Sequence, residues 1–504
     1  MTQQIPPVAA DELRIGTDEW VAQIEQRQRR RAGLWGAIAG RWEAIPVAGR
    51  VAFVALLLIL APIITATQPV LSLLGISSND FIIRIGATFL AFAILAIGLN
   101  VVVGYAGLLD LGYIAFFGLA GYAYAYLSSD FISGGVHLPS LISIPMIVAF
   151  TGLVGWLLGS LSIRLYGDYL AIVTLGFGLL FVQLTTTLTR VELFWLDRPV
   201  DLTRGPNGIN NLDRINLLGY EFRSTSEYYY LFLVLLGLAL LVVHHLNQSR
   251  LGRAWRAMRE DELAAEVMGM PTRRLKLMAF AIGAAIAALT GTVFAAWQGN
   301  VVPTRYGVLA LINLYAMIVL GGLGSLPGAV LGAFVFTTLP ELLRSVEVAG
   351  FLFYSGMLVG LIWWLRPWQR FVAVVGGTIA GAILIKLLVN LAWPWLDTGA
   401  APAAGSFLNQ WVQSLLVIPP DVLTTGNVAI GLAVVVLLLT VSLKGRPWRW
   451  ILLGLALYLL AFAWETRLAT EPAITRILVV GISLVVLMVT RPQGLLGRLR
   501  VEIV

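Results

Sequence analysis

Apolar residues along this chain come in long, nearly unbroken runs, and polar residues collect in the gaps between them. Runs such as residues 51–64 (VAFVALLLILAPII) and 429–442 (AIGLAVVVLLLTVS) show no alternation of period two, which argues against the strands of a closed barrel. At about 1.5 Å rise per residue, a helix of about 20 such residues crosses a bilayer core of about 30 Å. It also satisfies every backbone polar group internally, as lipid requires. The pattern predicts spans near 51–67, 82–103, 107–127, 139–163, 169–188, 229–246, 277–297, 308–323, 327–343, 352–365, 371–393, 428–443, 450–464 and 474–490. The expected fold is all-α, a polytopic transmembrane helical bundle with about 10 core spans and 3–4 extra ones.

Composition agrees, with 59% apolar and only 12% charged residues. The basic residues of short connections fall on one side of the expected bundle. They are Arg27, Arg29, Arg30, Arg31, Arg41 and Arg50 before the first span, Arg164, the 247–276 connection, Arg366 and Arg370, Lys444, Arg446 and Arg449, and Arg491, Arg498 and Arg500. The positive-inside rule makes this the cytoplasmic side and places both termini there, in a multi-pass protein of the plasma (inner) membrane. The net charge of +7 is thereby explained by topology, and no basic stripe interleaved with aromatics points to nucleic acid. The long connections 189–228 and 394–427 fall on the outer side. Lys386, alone in its span, is expected to snorkel toward the interface.

Four regions follow. Residues 1–50 form a cytoplasmic amphipathic segment, without the pattern of a cleaved signal, whose helix over 11–31 offers arginines to anionic membrane lipid. Residues 51–366 form a transmembrane core that includes the 249–276 loop. Residues 367–473 add further spans and the outer loop 394–427, and residues 474–504 supply a last span and a cytoplasmic tail.

The 249–276 loop carries its own helical pattern. Arg250, Arg253, Arg256 and Arg259 recur every third residue, with Glu260, Asp261, Glu262 and Glu266 placed to pair along the same helix. Ala264, Ala265, Val267 and Met268 give a small apolar face, and Gly269 followed by Met270-Pro271 reads as a helix stop. A rigid, charged knob of this kind suits docking by a protein outside the membrane.

The segment REDELAAEVMG resembles the coupling segment of ABC importer permeases, with Ala264, Ala265 and Gly269 matching its Ala-Ala-x3-Gly core. Leu263 stands where that family carries Glu, with Glu262 one residue earlier. Further segments are similar to permeases of branched-chain amino acid importers, specifically the larger of the two permease subunits. These are 99–125 (LNVVVGYAGLLDLGYIAFFGLAGYAYA), 167–178 (GDYLAIVTLGFG), 202–209 (LTRGPNGI), 319–333 (VLGGLGSLPGAVLGA) and 490–497 (TRPQGLLG). The insert before the last of these is an addition to the family pattern, so that Arg366-Pro367 and Arg491-Pro492 look like two versions of one ending.

The resemblance implies ABC ATPase subunits docking at Arg259, Glu260, Asp261, Glu262, Ala264, Ala265 and Gly269, a second permease subunit, and an extracytoplasmic solute-binding protein. Its substrates would be branched-chain or related amino acids, with urea or short amides as the alternative within the class. Asn100 and Asp110 are polar residues in apolar surroundings, and the latter could attract a substrate ammonium. With Gly104, Gly107, Tyr113, Thr174, Gly321 and Gly322 they are the candidates for the translocation pathway. Gly324, Gly328 and Gly332 repeat every fourth residue, a spacing that lets helices approach closely.

The chain lacks a phosphate-binding G-x-x-x-x-G-K-[ST] loop, so any ATP hydrolysis belongs to partner subunits. It has no cysteine, and His137, His244 and His245 make no ligand cluster, so neither metal nor cofactor is expected. Enzyme motifs are also missing. The rival class is a proton-coupled secondary transporter working through Asp110.

Overall fold

The computed structural model describes residues 56, 58–62, 79–131, 137–162, 168–189, 201–344, 346–365, 368–397, 407–442, 448–468, 478, 481–482, 485 and 494–496. The chain divides into two compact units, residues 1–64 and 65–504. In the first, the described residues are helical. The expected amphipathic segment 1–50 lies outside the described residues, as do most of the expected spans 51–67 and 474–490.

The second unit is an all-α helical bundle. Its helices are α1 Asn79–Leu99, continued by a π-helix at Asn100–Tyr105, α2 Tyr113–Leu127, α3 Ser140–Ser162, α4 Asp168–Thr187, α5 Thr225–Gln248, α6 Arg250–Glu260, α7 Glu262–Val267 and α8 Thr272–Gln298. They continue as α9 Val308–Gly321, α10 Leu326–Leu342, α11 Val346–Trp364, α12 Trp368–Ala392, α13 Phe407–Leu415, α14 Val422–Ser442 and α15 Trp448–Ala463, the last followed by a π-helix at Trp464–Leu468. Among the described residues nine helices are long and apolar enough to cross a membrane, and α2, α10 and α11 are shorter apolar helices. The described apolar helices fall where the apolar runs place spans, with one correction, and α13 is a short helix within the expected outer loop 394–427. The expected span 107–127 begins only at Tyr113, because residues 106–112 leave the helix.

Two helices form the centre. The apolar window of α1 is 83% buried and that of α8 61%, against 11% for α12. The α8 helix lies against α3, α2 and α1, while α1 also packs on α5 and α10. Small residues on α8 make this possible, since a Cβ on Gly291 would strike the Phe117 carbonyl of α2, and Ala284, Ala287 and Ala288 are fully enclosed.

One end of the bundle is closed by short strands. Ile209–Asn210 pairs antiparallel with Asn300–Val301 just after α8, and Asn216–Leu217 pairs with Tyr220–Glu221 in a hairpin. The Leu218-Gly219 turn has positive φ at both residues, 53° and 91°, the backbone that a tight two-residue hairpin requires. Ser224 and Glu227 form a reciprocal capping box at the start of α5. We call this the hairpin end, and the opposite end, which carries α6 and α7, the knob end.

The added region packs on α11. Leu361 and Leu365 meet Val374 of α12 and Leu453 and Leu457 of α15 in one apolar cluster. Phe353 stacks on Trp464 with ring centroids 4.2 Å apart. Beside that stack, buried Glu465 accepts hydrogen bonds from Tyr354 and from Gln413 of α13, each at 2.6 Å. Lys386, expected to snorkel, extends toward the connection that follows α12. Its ammonium donates to the Ser414 carbonyl at 2.9 Å and faces Asp397 at 3.7 Å. Both partners come from chain beyond the end of α12.

At the hairpin end His137 bridges two carboxylates, with Nδ1 2.6 Å from Asp213 and Nε2 2.9 Å from Asp130. Hydrogen bonds to Asp213 and then to Asp130, reinforced by their charges, raise its pKa above the ordinary histidine value. A folded pKa above the unfolded one means stabilisation that is complete below about pH 6.5 and lost as pH rises through the folded value. The melting temperature of His137→Ala should therefore lie furthest below wild type at pH 6 and approach it at pH 9, as read by thermal scans in lipid nanodiscs.

Candidate functional site

The knob is built from two helices where the sequence suggested one. Ser249 caps α6 by accepting from the Leu251 and Gly252 amides, and Gly252 lies so close to the Asn247 carbonyl that a Cβ would collide with it. At Asp261 the backbone becomes extended (φ −154°, ψ 110°), and its carboxylate caps α7 by accepting from the Ala264 amide at 3.0 Å. The expected ladder of Arg-to-acid pairs along one helix is thus interrupted. Arg256 instead donates to the Gly252 and Asn247 carbonyls. Gly269 ends α7 with φ +81°, its amide donating to Glu266 and that of Met270 to Ala265, the bonding of a Schellman cap.

Three of the described interactions fasten the knob to α8 and to the π-helix after α1. Trp255 is fully buried and its indole donates to the Leu275 carbonyl of α8 at 2.9 Å. Lys276, with 5% of its side chain exposed, pairs with Glu262 at 2.5 Å. Arg259, half-buried, donates from Nη1 to the Gly104 carbonyl in the first π-helix. By contrast Leu263, Val267 and Met268 are 67%, 86% and 80% exposed, and Glu260, Asp261, Ala264 and Gly269 are exposed beside them.

Behind the knob lies an elbow. The chain turns between α9 and α10 at Gly322–Ser325, with φ of +112° at Gly322 and +81° at Gly324, and Ser325 caps α10. The Asn100 side chain accepts from the Gly324 amide at 2.9 Å. Residues after the insert return to this place, where the Leu495 and Leu496 amides donate to the Leu320 and Gly321 carbonyls at 2.8 and 3.0 Å. The close approach of α9 and α10 uses Gly321, Gly328 and Gly332, each of which would drive a Cβ into backbone of the opposite helix. Gly324, expected to belong to that spacing, serves the turn instead.

The second break, residues 106–112, lies between the π-helix and α2. Asp110 accepts from the Gly112 amide through Oδ1 at 2.9 Å, and its own carbonyl accepts from Tyr315 at 2.6 Å. Thr174 of α4 accepts from the Leu111 amide at 2.9 Å, and Tyr113 donates to the Gly283 carbonyl of α8 at 3.1 Å. Among the described residues, Asp110 Oδ2 and Asn100 Nδ2 are buried without a hydrogen-bond partner.

A cleft of about 520 Å³ opens beside this break between α2, α4 and the start of α9. Leu111, Ile114, Leu179, Tyr306 and Val308 give it an apolar lining, and Gln183 adds an amide. The structure thus gathers the candidate residues in two places. Gly104 and Gly107 meet Arg259, Asn100 bonds Gly324 at the elbow and Gly321 and Gly322 lie at the elbow's start, whereas Asp110, Tyr113 and Thr174 hold the break together beside the cleft. Sequence reasoning passed over Gln183 and Tyr306. Gln183 had a legible signal, an amide inside an apolar run, but Tyr306 had none.

These features define an all-helical, multi-pass membrane protein with broken helices and an exposed polar knob. The family described as branched-chain amino acid transport system, permease component, matches residues 81–365. The high-affinity branched-chain amino acid transport system permease protein LivM of Escherichia coli (strain K12) is 36% identical over 308 residues, covering 56% of this chain and 68% of that protein. A probable branched-chain amino acid transport permease protein LivM of Methanocaldococcus jannaschii is 25% identical over 295 residues, 53% of this chain and 82% of the relative. The permease protein BraD of Pseudomonas aeruginosa is 42% identical over 101 residues, 20% of this chain and 31% of that protein. No solved structure matches. The chain belongs to the family of branched-chain amino acid transport system permease components. The match ends at the boundary of the added helices α12–α15.

Removing Glu262 leaves the Lys276 charge enclosed. Breaking a fully buried pair costs about 3–5 kcal/mol, and because Glu262 retains 24% exposure, Glu262→Ala should cost about 2 kcal/mol. Glu262→Ala combined with Lys276→Met should recover most of that loss in a double-mutant cycle of thermal unfolding in nanodiscs.

Proposed function

We propose that this chain is a permease subunit of an ABC importer that passes branched-chain or related amino acids inward across the plasma membrane. Separate ATPase subunits dock on the knob at the cytoplasmic side, where both termini also lie. A second permease subunit completes the pathway, and an extracytoplasmic solute-binding protein delivers substrate to the hairpin end. The chain itself is not an enzyme.

The observation that carries this reading is the surface of α7. Leu263, Val267 and Met268 stand out from a short helix beyond the ends of the apolar spans, a patch that water disfavours and a protein partner would cover. Exposed Arg250, Arg253, Arg273 and Arg274 belong to the same connection, and by the positive-inside rule they support a cytoplasmic position for it. Because Trp255 and Lys276 fix the knob to the start of α8, a push on it bears directly on a central helix.

The cleft supports the substrate class. Its apolar walls suit a branched aliphatic side chain, and the Gln183 amide can both donate to a carboxylate and accept from an ammonium. The unpartnered atoms of Asn100 and Asp110 are costly where they stand, about 1–3 kcal/mol for a neutral group. Such groups favour a second arrangement in which they reach water or solute. A ligand or motor shifts such an equilibrium only through unequal contact with the two arrangements.

Charge on the docking face tests the proposal. Val267→Glu with Met268→Glu should reduce co-purification of the ATPase subunits at least tenfold and abolish ATP-dependent leucine uptake into proteoliposomes, with the chain still present in the membrane. Undiminished uptake by that variant, or uptake by wild type with no ATPase subunit present, would overturn it.

A further inference from the structure

Arg259 differs from the exposed residues of the coupling segment in its direction. It leaves the knob surface and runs toward the bundle, with its aliphatic part against Gly107 and its guanidinium at the Gly104 carbonyl. A Cβ on Gly107 would come within 2.7 Å of Arg259 Cγ, and one on Gly324 within 2.8 Å of Nη1. The guanidinium therefore lies where three separate pieces of chain converge: α6, the π-helix that ends α1, and the Gly322–Ser325 elbow.

The same place is tied across by Asn100 on Gly324, and it is backed by Leu495 and Leu496 on the end of α9. Glycine at 107 and 324 leaves room for the arginine, with positive φ of 73° and 81°, and glycine at 104 leaves room for the Asn100 side chain. An arginine offers several donors in a rigid plane, so it can hold carbonyls of a broken helix end that no helical amide serves. Trp255 and Lys276 connect the knob to α8, but the Arg259 contact leads to the two breaks.

We infer that Arg259 is a transmission residue, which carries displacement of the docking knob to the elbow where the π-helix Asn100–Tyr105 meets Gly322–Ser325, and does not itself bind the ATPase. The inference rests on the proposed importer function, because it requires a motor that moves the knob. It divides the segment into an outer docking face, Leu263, Val267 and Met268, and an inner transmitting arginine.

The experiment uses the complete complex of permease, ATPase and solute-binding protein in proteoliposomes with leucine and ATP. Arg259→Ala should retain ATPase subunits at wild-type stoichiometry and hydrolyse ATP within about twofold of wild type, while leucine transported per ATP falls at least tenfold. Arg259→Lys should restore a third or more of that ratio, since an ammonium still reaches a carbonyl. Loss of the ATPase from Arg259→Ala would make the residue a docking contact and overturn the inference, as would an unchanged transport ratio.

A second measurement needs no change at Arg259. The chain lacks cysteine, so spin labels can be placed at Glu260→Cys on the knob, Leu323→Cys on the elbow and Leu218→Cys at the exposed hairpin turn. On ATP binding the distances from the hairpin label to knob and elbow should both shift, with the knob-to-elbow distance constant within about 2 Å, a margin set by label rotamers. Knob and elbow moving apart would overturn the inference even if the arginine variants do not assemble. Failure of wild type to take up leucine with ATP would instead remove the importer reading on which it stands.

Discussion

Backbone amides and carbonyls in a bilayer need partners, and helices supply them only as long as they continue. This chain interrupts its helices inside the bundle at residues 106–112 and 322–325, and much of its remaining polar chemistry answers those interruptions. Asp110, Thr174 and Tyr315 serve the first break, and Asn100, Ser325 and the returning Leu495 and Leu496 serve the second. Arg259 reaches the Gly104 carbonyl from outside the apolar spans. Broken backbone at membrane depth is tolerated only where protein or a water-lined cavity receives it, which is why such places serve transport.

Glycine has two different duties in this arrangement. At Gly321, Gly328 and Gly332 it lets α9 and α10 touch backbone to backbone, and at Gly291 it does the same for α8 and α2. At Gly107, Gly322 and Gly324 it permits a left-handed or otherwise strained conformation within the breaks. The first duty rigidifies a helix pair, and the second lets the chain turn without losing that pair. The rigid knob and the enclosed centre of the bundle meet at residues of the second kind.

The added helices follow the same logic of internal satisfaction. Glu465 is enclosed but accepts from Tyr354 and Gln413, and Lys386 finds Ser414 and Asp397. These contacts join α11, α12, α13 and the π-helix after α15 into one packed layer, with residues 65–504 forming a single compact unit. The division of the sequence at residues 366 and 473 is therefore a boundary of resemblance and not a break in packing. The chain then returns to the α9–α10 elbow at Gly494–Leu496, where two backbone amides pair with the end of α9.

The sequence by itself determined the helical class, the position of nearly every described span and the place of the knob. A run of about 20 apolar residues has one stable solution in lipid, and a capping glycine such as Gly269 acts on its own helix. It also marked Asn100 and Asp110, because polar groups in an apolar run are conspicuous. Tertiary structure alone decided that Glu262 is taken by Lys276, that Lys386 turns to Ser414, and that Arg259 points inward. Each of those outcomes depends on a partner elsewhere in the chain. Periodicity describes the face of a helix but not what that face meets, and hydrogen bonds between Arg259 and Gly104, 155 positions apart, leave no trace in local pattern.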